Sequence, residues 1–93
     1  MTDTDILNFL TTMGHVFCNI LHNEAGIEDA SGHDCYSAMV AALGGPVGLD
    51  ELRAVKPEQF THIADAFNRY FETTTVQPSH IAKAISKTLW HWS

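Results

Sequence analysis

The feature that most constrains the fold is an apolar stripe with helical spacing near the start of the chain. Over residues 4–23, apolar side chains recur at the three- and four-residue intervals that place them on one side of an α-helix. The stripe consists of Ile6, Phe9, Leu10, Met13, Val16, Phe17, Ile20 and Leu21. Asp3 and Asp5 stand at its start, where acidic side chains favour a helix N-terminus. A helix with one such face must bury it against other elements.

Helix start and stop signals predict further helices downstream. Ser31 is a preferred N-cap residue and Gly44 a preferred stop, so a second helix is expected between them. Residues 50–55 predict one or two more turns. Pro57 and Pro78 each open a further helix, because proline is tolerated at a first helical position. The last helix has an apolar stripe of its own, formed by Ile81, Ile85, Leu89 and Trp92.

Size and composition limit these helices to one small core. The chain has 93 residues, of which 45 % are hydrophobic and 17 % charged, a globular composition. No segment shows the repeated apolar and polar alternation of a sheet. We therefore expect an all-α fold, a compact bundle of four to five helices, forming a single helical domain over residues 1–93. No apolar run approaches the roughly 18 residues of a membrane span, so no membrane association is expected.

Charge is divided unevenly along the sequence. Residues 1–52 contain no lysine or arginine, while all five basic residues of these types follow in residues 53–93. The first half carries Asp3, Asp5, Glu24, Glu28, Asp29, Asp34, Asp50 and Glu51. Such a surface attracts basic partners and repels phosphate backbones. The alternative is that these carboxylates only keep the protein soluble.

Four of these acidic residues lie close together in sequence and are the first candidates for a binding surface. They are Glu24, Glu28, Asp29 and Asp34. We interpret the protein as a non-enzymatic protein-binding module, an acidic inhibitor, adaptor or accessory protein that covers a basic surface on a larger partner. Two cysteines are too few for a disulfide scaffold, which favours reduced thiols and a cytoplasmic location.

Histidine and cysteine residues suggest a second, less favoured function. His15, Cys18 and His22 lie near one another on the first helix, and His33 and Cys35 follow near the next loop. Imidazole and thiolate are the ligands that zinc prefers. Their spacing matches no zinc-finger or ribbon pattern, so we expect no metal and no cofactor. A cysteine with a neighbouring histidine is also a nucleophile pair, but no oxyanion-hole or nucleophile-elbow motif accompanies it, so we expect no enzymatic activity.

The last two helices allow a DNA-binding alternative. A helix, a short turn and the segment 78–90 have the order of a helix-turn-helix, with Pro78–Trp90 as the recognition helix. Lys83 and Lys87 are few for phosphate contacts, and no arginine stands on that helix. Nucleic acid is therefore not the expected partner.

The remaining candidate binding residues are Trp90, Lys83 and Lys87 on the last helix. Helical geometry places Trp90 on the side of Lys83 and Lys87, away from the stripe that ends in Trp92. Tryptophan is enriched among residues that dominate interfaces. We expect a partner protein or a second copy of the chain, as a homodimer, to cover Trp90; the helix end itself is the local alternative.

Overall fold

The computed structural model describes residues 3–91, and all regular structure in that range is helical. The helices are α1 (Asp3–Glu24), α2 (Gly32–Leu43), α3 (Leu49–Arg53), α4 (Phe60–Tyr70) and α5 (Pro78–His91). A 3₁₀ turn, Pro57–Gln59, leads into α4. The expected all-α fold is confirmed. Trp92, predicted on the buried stripe of the last helix, lies outside the described residues.

The ends of α2 form as its capping residues predict. The Ser31 hydroxyl accepts a hydrogen bond from the Asp34 amide at 3.1 Å, which satisfies one of the free N–H groups of the first turn. Gly44 ends the helix with φ +80°, and its amide donates to the Val40 carbonyl at 2.8 Å. Glycine suits this position because a left-handed backbone carries no steric penalty without a Cβ.

The four longer helices surround one core. α1 packs against α2 and α5, and α4 packs against the same two helices, so α1 and α4 face each other across the interior. Their meeting point is a stacked pair of rings, Phe17 and Phe67, with centroids 5.8 Å apart. Both rings are fully buried. The short helix α3 lies against α5 and adds the buried Leu52.

The stripe of α1 is buried along most of its length. Phe9, Met13, Phe17, Ile20 and Leu21 are in the core. Ile6, expected to be buried with them, is 44 % exposed. All six residues from 3 to 8 are exposed, so α1 extends beyond the part of the core that the described helices enclose.

Two glycines set the distance between α1 and α2. A Cβ atom added to Gly14 would lie 2.8 Å from the Cα of Gly32, and one added to Gly32 would lie 3.2 Å from the Cα of Gly14. The two backbones are therefore in direct contact at this crossing. Nothing in the helical pattern of either segment indicates which residue a glycine faces.

Candidate functional site

The predicted acidic residues lie in and beside the connection between α1 and α2. Glu24 ends α1, Glu28 and Asp29 lie in the connection, and Asp34 is in the first turn of α2. We refer to residues 24–34 as the acidic segment. Two of its four carboxylates, those of Glu24 and Asp34, bond to other side chains, and the other two form no ion pair within residues 3–91.

Glu24 is joined to another predicted binding residue. The Lys83 ammonium donates a hydrogen bond to its carboxylate at 2.7 Å, linking the end of α1 to α5. This hydrogen bond, together with the nearby charges of Lys83, His80 and Lys87, holds the pKa of Glu24 below its usual value. Because the pair is exposed, it contributes little to stability. Its consequence is electrostatic, since the charge of Lys83 is compensated.

Asp34 is held by two hydroxyl groups. Ser31 donates to one carboxylate oxygen at 2.8 Å, and Tyr70, the last residue of α4, donates to the other at 2.9 Å. These two hydrogen bonds lower the pKa of Asp34. The hydrogen bond between Tyr70 and Asp34 also raises the pKa of the Tyr70 hydroxyl. Asp34 therefore connects α2 to α4. Sequence reasoning missed Tyr70 because the two residues are 36 positions apart.

The Asp34 contacts predict an acid-sensitive contribution to stability. A carboxylate whose folded pKa lies below its unfolded value stabilises the fold above the unfolded pKa, and that contribution is lost as the pH falls through the folded pKa. Asp34→Asn should therefore reduce the free energy of unfolding near neutral pH, and the difference from the native protein should shrink on acidification. Urea unfolding between about pH 2 and pH 7 measures this. Glu28→Gln is the matched control, because it removes an exposed carboxylate that forms no ion pair within residues 3–91, and its free energy of unfolding should match that of the native protein. A deficit of Asp34→Asn that stays constant over this range would contradict the assignment.

Glu28 and Asp29 remain available on the surface. Both are exposed, and neither forms an ion pair within residues 3–91. Asp50 and Glu51, in the first turn of α3, are exposed as well. Folding therefore leaves much of the negative charge of residues 3–52 facing solvent.

Trp90 lies on the outer side of α5. Its indole is 75 % exposed, and its centroid is 5.3 Å from the imidazole of His91. With Ser86, Lys87 and His91 it lines a shallow groove of about 420 Å³. The position that helical geometry predicts for Trp90 is the position it has in the structure. Its role in an interface stays a prediction.

The segment between α4 and α5 differs from the turn of a helix-turn-helix. It comprises the seven residues from 71 to 77, whereas that motif uses a turn of about three or four residues. The Asn68 side chain fixes this connection by donating to the Val76 carbonyl at 3.0 Å and accepting from the Val76 amide at 2.9 Å. The connection is therefore a seven-residue loop held by the Asn68 side chain, and it is longer than the short turn that the sequence predicts.

Three of the histidine and cysteine residues border one groove between α1 and α2. The groove has a volume of about 400 Å³ and is lined by Leu10, Thr11, Gly14, His15, Cys18, Gly32, His33 and Tyr36. The Cys18 thiol donates a hydrogen bond to the backbone carbonyl of Ala30 at 2.7 Å. Within residues 3–91, no group of three or more histidine, cysteine, aspartate or glutamate residues is arranged to hold a metal ion.

Cys35 lies in the core. It is fully buried, and burial raises the pKa of its thiol to about 12. The thiolate is the form that attacks electrophiles, and it is scarcely populated at such a pKa. Neither cysteine forms a disulfide.

Comparisons of the chain with protein-family models, with curated proteins and with solved structures found no match. Between residues 3 and 91, no helix has the length and apolar character needed to cross a membrane.

Proposed function

We propose that this protein is a non-enzymatic protein-binding module of the cytoplasm, an inhibitor, adaptor or accessory protein whose acidic surface covers a basic surface on a larger partner. One observation carries the proposal. Glu28, Asp29, Asp50 and Glu51 remain exposed in a half of the chain that has no lysine or arginine, while Glu24 alone among the predicted binding carboxylates pairs with a lysine.

Charge of this kind acts on association before any contact forms. At 0.1 M salt the Debye length is about 10 Å, so neighbouring exposed carboxylates add their fields at an approaching surface. Glu28 and Asp29 are adjacent in the connection between α1 and α2, and both are exposed. A basic surface is drawn to such a segment, whereas a phosphate backbone is repelled.

The other two candidate functions receive less support from the geometry. A DNA-binding role for Pro78–Trp90 relies on Lys83 and Lys87, and Lys83 is engaged by Glu24. A catalytic role relies on Cys18 or Cys35, and the thiol of Cys35 is buried with a strongly raised pKa. A metal-binding role relies on the histidine and cysteine residues meeting, and no such group of three lies together within residues 3–91. A protein-binding role depends on neither the lysines of α5 nor these residues.

Capture experiments with charge-reversed baits test the proposal. The full chain and a Glu28→Lys, Asp29→Lys variant are immobilised and exposed to nuclease-treated extract of the native host. We expect a basic protein that the native bait retains and the variant loses, because reversal turns attraction into repulsion. The matched control is Glu58→Lys with Asp65→Lys, which makes the same charge change at exposed positions in the second half of the chain.

Two outcomes would contradict the proposal. One is an identical set of retained proteins on the native and reversed baits, which would assign the carboxylates to solubility alone. The other is a shift of random duplex DNA in a gel at low salt that disappears in Lys87→Glu, which would favour the DNA-binding alternative.

A further inference from the structure

The outer side of α5 combines a large exposed aromatic side chain with positive charge. Trp90 is 75 % exposed and shares a groove with Ser86, Lys87 and His91. No acidic residue occurs between Pro78 and His91. Lys83 lies on the same side of the helix, but its charge is compensated by Glu24, so Lys87 is the cation that characterises the surface beside Trp90. We call Ser86, Lys87, Trp90 and His91 the α5 patch.

The start of α1 has the opposite combination, exposed apolar side chains with negative charge. Leu7 is 64 % exposed and Ile6 44 %, and both follow Asp3 and Asp5 in the first turns of the helix. Every residue from 3 to 8 is exposed. We call residues 3–8 the α1 tip. Large apolar side chains this exposed, in a rim of charge, are typical of interaction surfaces.

The α1 tip and the α5 patch both expose large apolar side chains, and their charges are opposite in sign. The described residues contain four large hydrophobic side chains that are exposed, and three of them, Ile6, Leu7 and Trp90, lie on the α1 tip or the α5 patch. The tip is acidic, whereas the patch carries Lys87. The fourth, Tyr70, is at the end of α4. The occupant that fits the α5 patch is thus present on the chain itself.

We propose that the protein self-associates, with the α1 tip of one copy docked on the α5 patch of a second copy. Leu7 and Ile6 cover the Trp90 indole, and the carboxylates of the tip approach Lys87. Each copy carries both surfaces, so a two-fold dimer makes the contact twice. This interface goes beyond the proposed function, because it leaves Glu28 and Asp29 free to meet a basic partner.

The test measures the mass of the full chain in solution by sedimentation equilibrium over a wide range of concentration. The native protein should form a dimer. Trp90→Ala should raise the dimer dissociation constant about thirtyfold or more, the effect of removing an interface hot spot. Lys87→Glu alone, or Asp3→Lys with Asp5→Lys, should also weaken the dimer. The three charge reversals combined should restore it, because the attraction is then re-established with opposite signs.

Lys56→Glu is the matched control, since it makes the same charge change at an exposed site between α3 and α4 and should leave the dimer unchanged. Circular dichroism verifies that every variant is folded. A native protein that stays monomeric at all concentrations would overturn the proposal. So would a dimer indifferent to Trp90→Ala. Failure of the combined charge reversal to restore the dimer would show that the α1 tip is not the occupant of the α5 patch, and would overturn it equally.

Discussion

Phe67→Ala is expected to lower the free energy of unfolding by about 3–5 kcal/mol. The ring is fully buried and stacks on Phe17, so it forms the contact between α1 and α4 across the core. Removing it deletes apolar contacts and leaves a cavity that the four surrounding helices can fill only in part. Domains of this size have roughly 5–15 kcal/mol of stability in total, so the variant should be close to the limit of folding.

Urea titration followed by circular dichroism measures this loss as a shift in the unfolding midpoint. Phe60→Ala is the matched control, because it removes the same ring from the start of α4 at a half-buried site. Its loss should be clearly smaller. Equal losses in the two variants would contradict the assignment of Phe67 to the centre of the core.

Gly14→Ala is expected to lower the free energy of unfolding by about 2 kcal/mol, although alanine is the better helix former. Helix propensity alone predicts a gain of about 1 kcal/mol at this position in the middle of α1. The new Cβ would lie 2.8 Å from the Cα of Gly32, however, and a backbone atom cannot rotate away as a side chain can. α1 and α2 must move apart, which disturbs the packing around Met13 and Cys35. The steric cost therefore exceeds the gain in propensity.

Helix propensity and steric contact predict changes of opposite sign in the free energy of unfolding, so the measured sign distinguishes them. Gly45→Ala is the control, because a Cβ at that position would meet nothing within 4 Å and its backbone is not left-handed. That variant should have nearly native stability. A Gly14→Ala protein more stable than the native chain would show that the two helices do not touch at this crossing.

The helices were predictable from sequence because their signals are local. The spacing of apolar residues predicted α1 to within one residue at each end, and Ser31 and Gly44 marked the ends of α2 through their own capping bonds. Ile6 was expected in the core because it continues the stripe. Periodicity gives the face of a helix but not how far its neighbours extend, so the exposure of Ile6 depends on tertiary structure.

The candidate site was less predictable because its contacts join distant parts of the chain. Glu24 and Lys83 were both proposed as binding residues, but their pairing spans 59 positions and has no sequence signature. The bond from Tyr70 to Asp34 and the contact of Gly14 with Gly32 arise in the same way from helix packing. The exposure of Trp90, in contrast, follows from its angle on α5 alone.

The measurement that tests the central claim most directly is the association rate of the full chain with its captured partner at increasing salt concentration. We predict an association rate that falls steeply as the Debye length shrinks from about 10 Å at 0.1 M to about 3 Å at 1 M salt. The Glu28→Lys, Asp29→Lys variant should start from a lower rate and lose this dependence, while Glu58→Lys with Asp65→Lys should behave as the native protein does. An association rate that does not change with salt in the native protein would contradict the claim that its exposed carboxylates guide it to a basic surface.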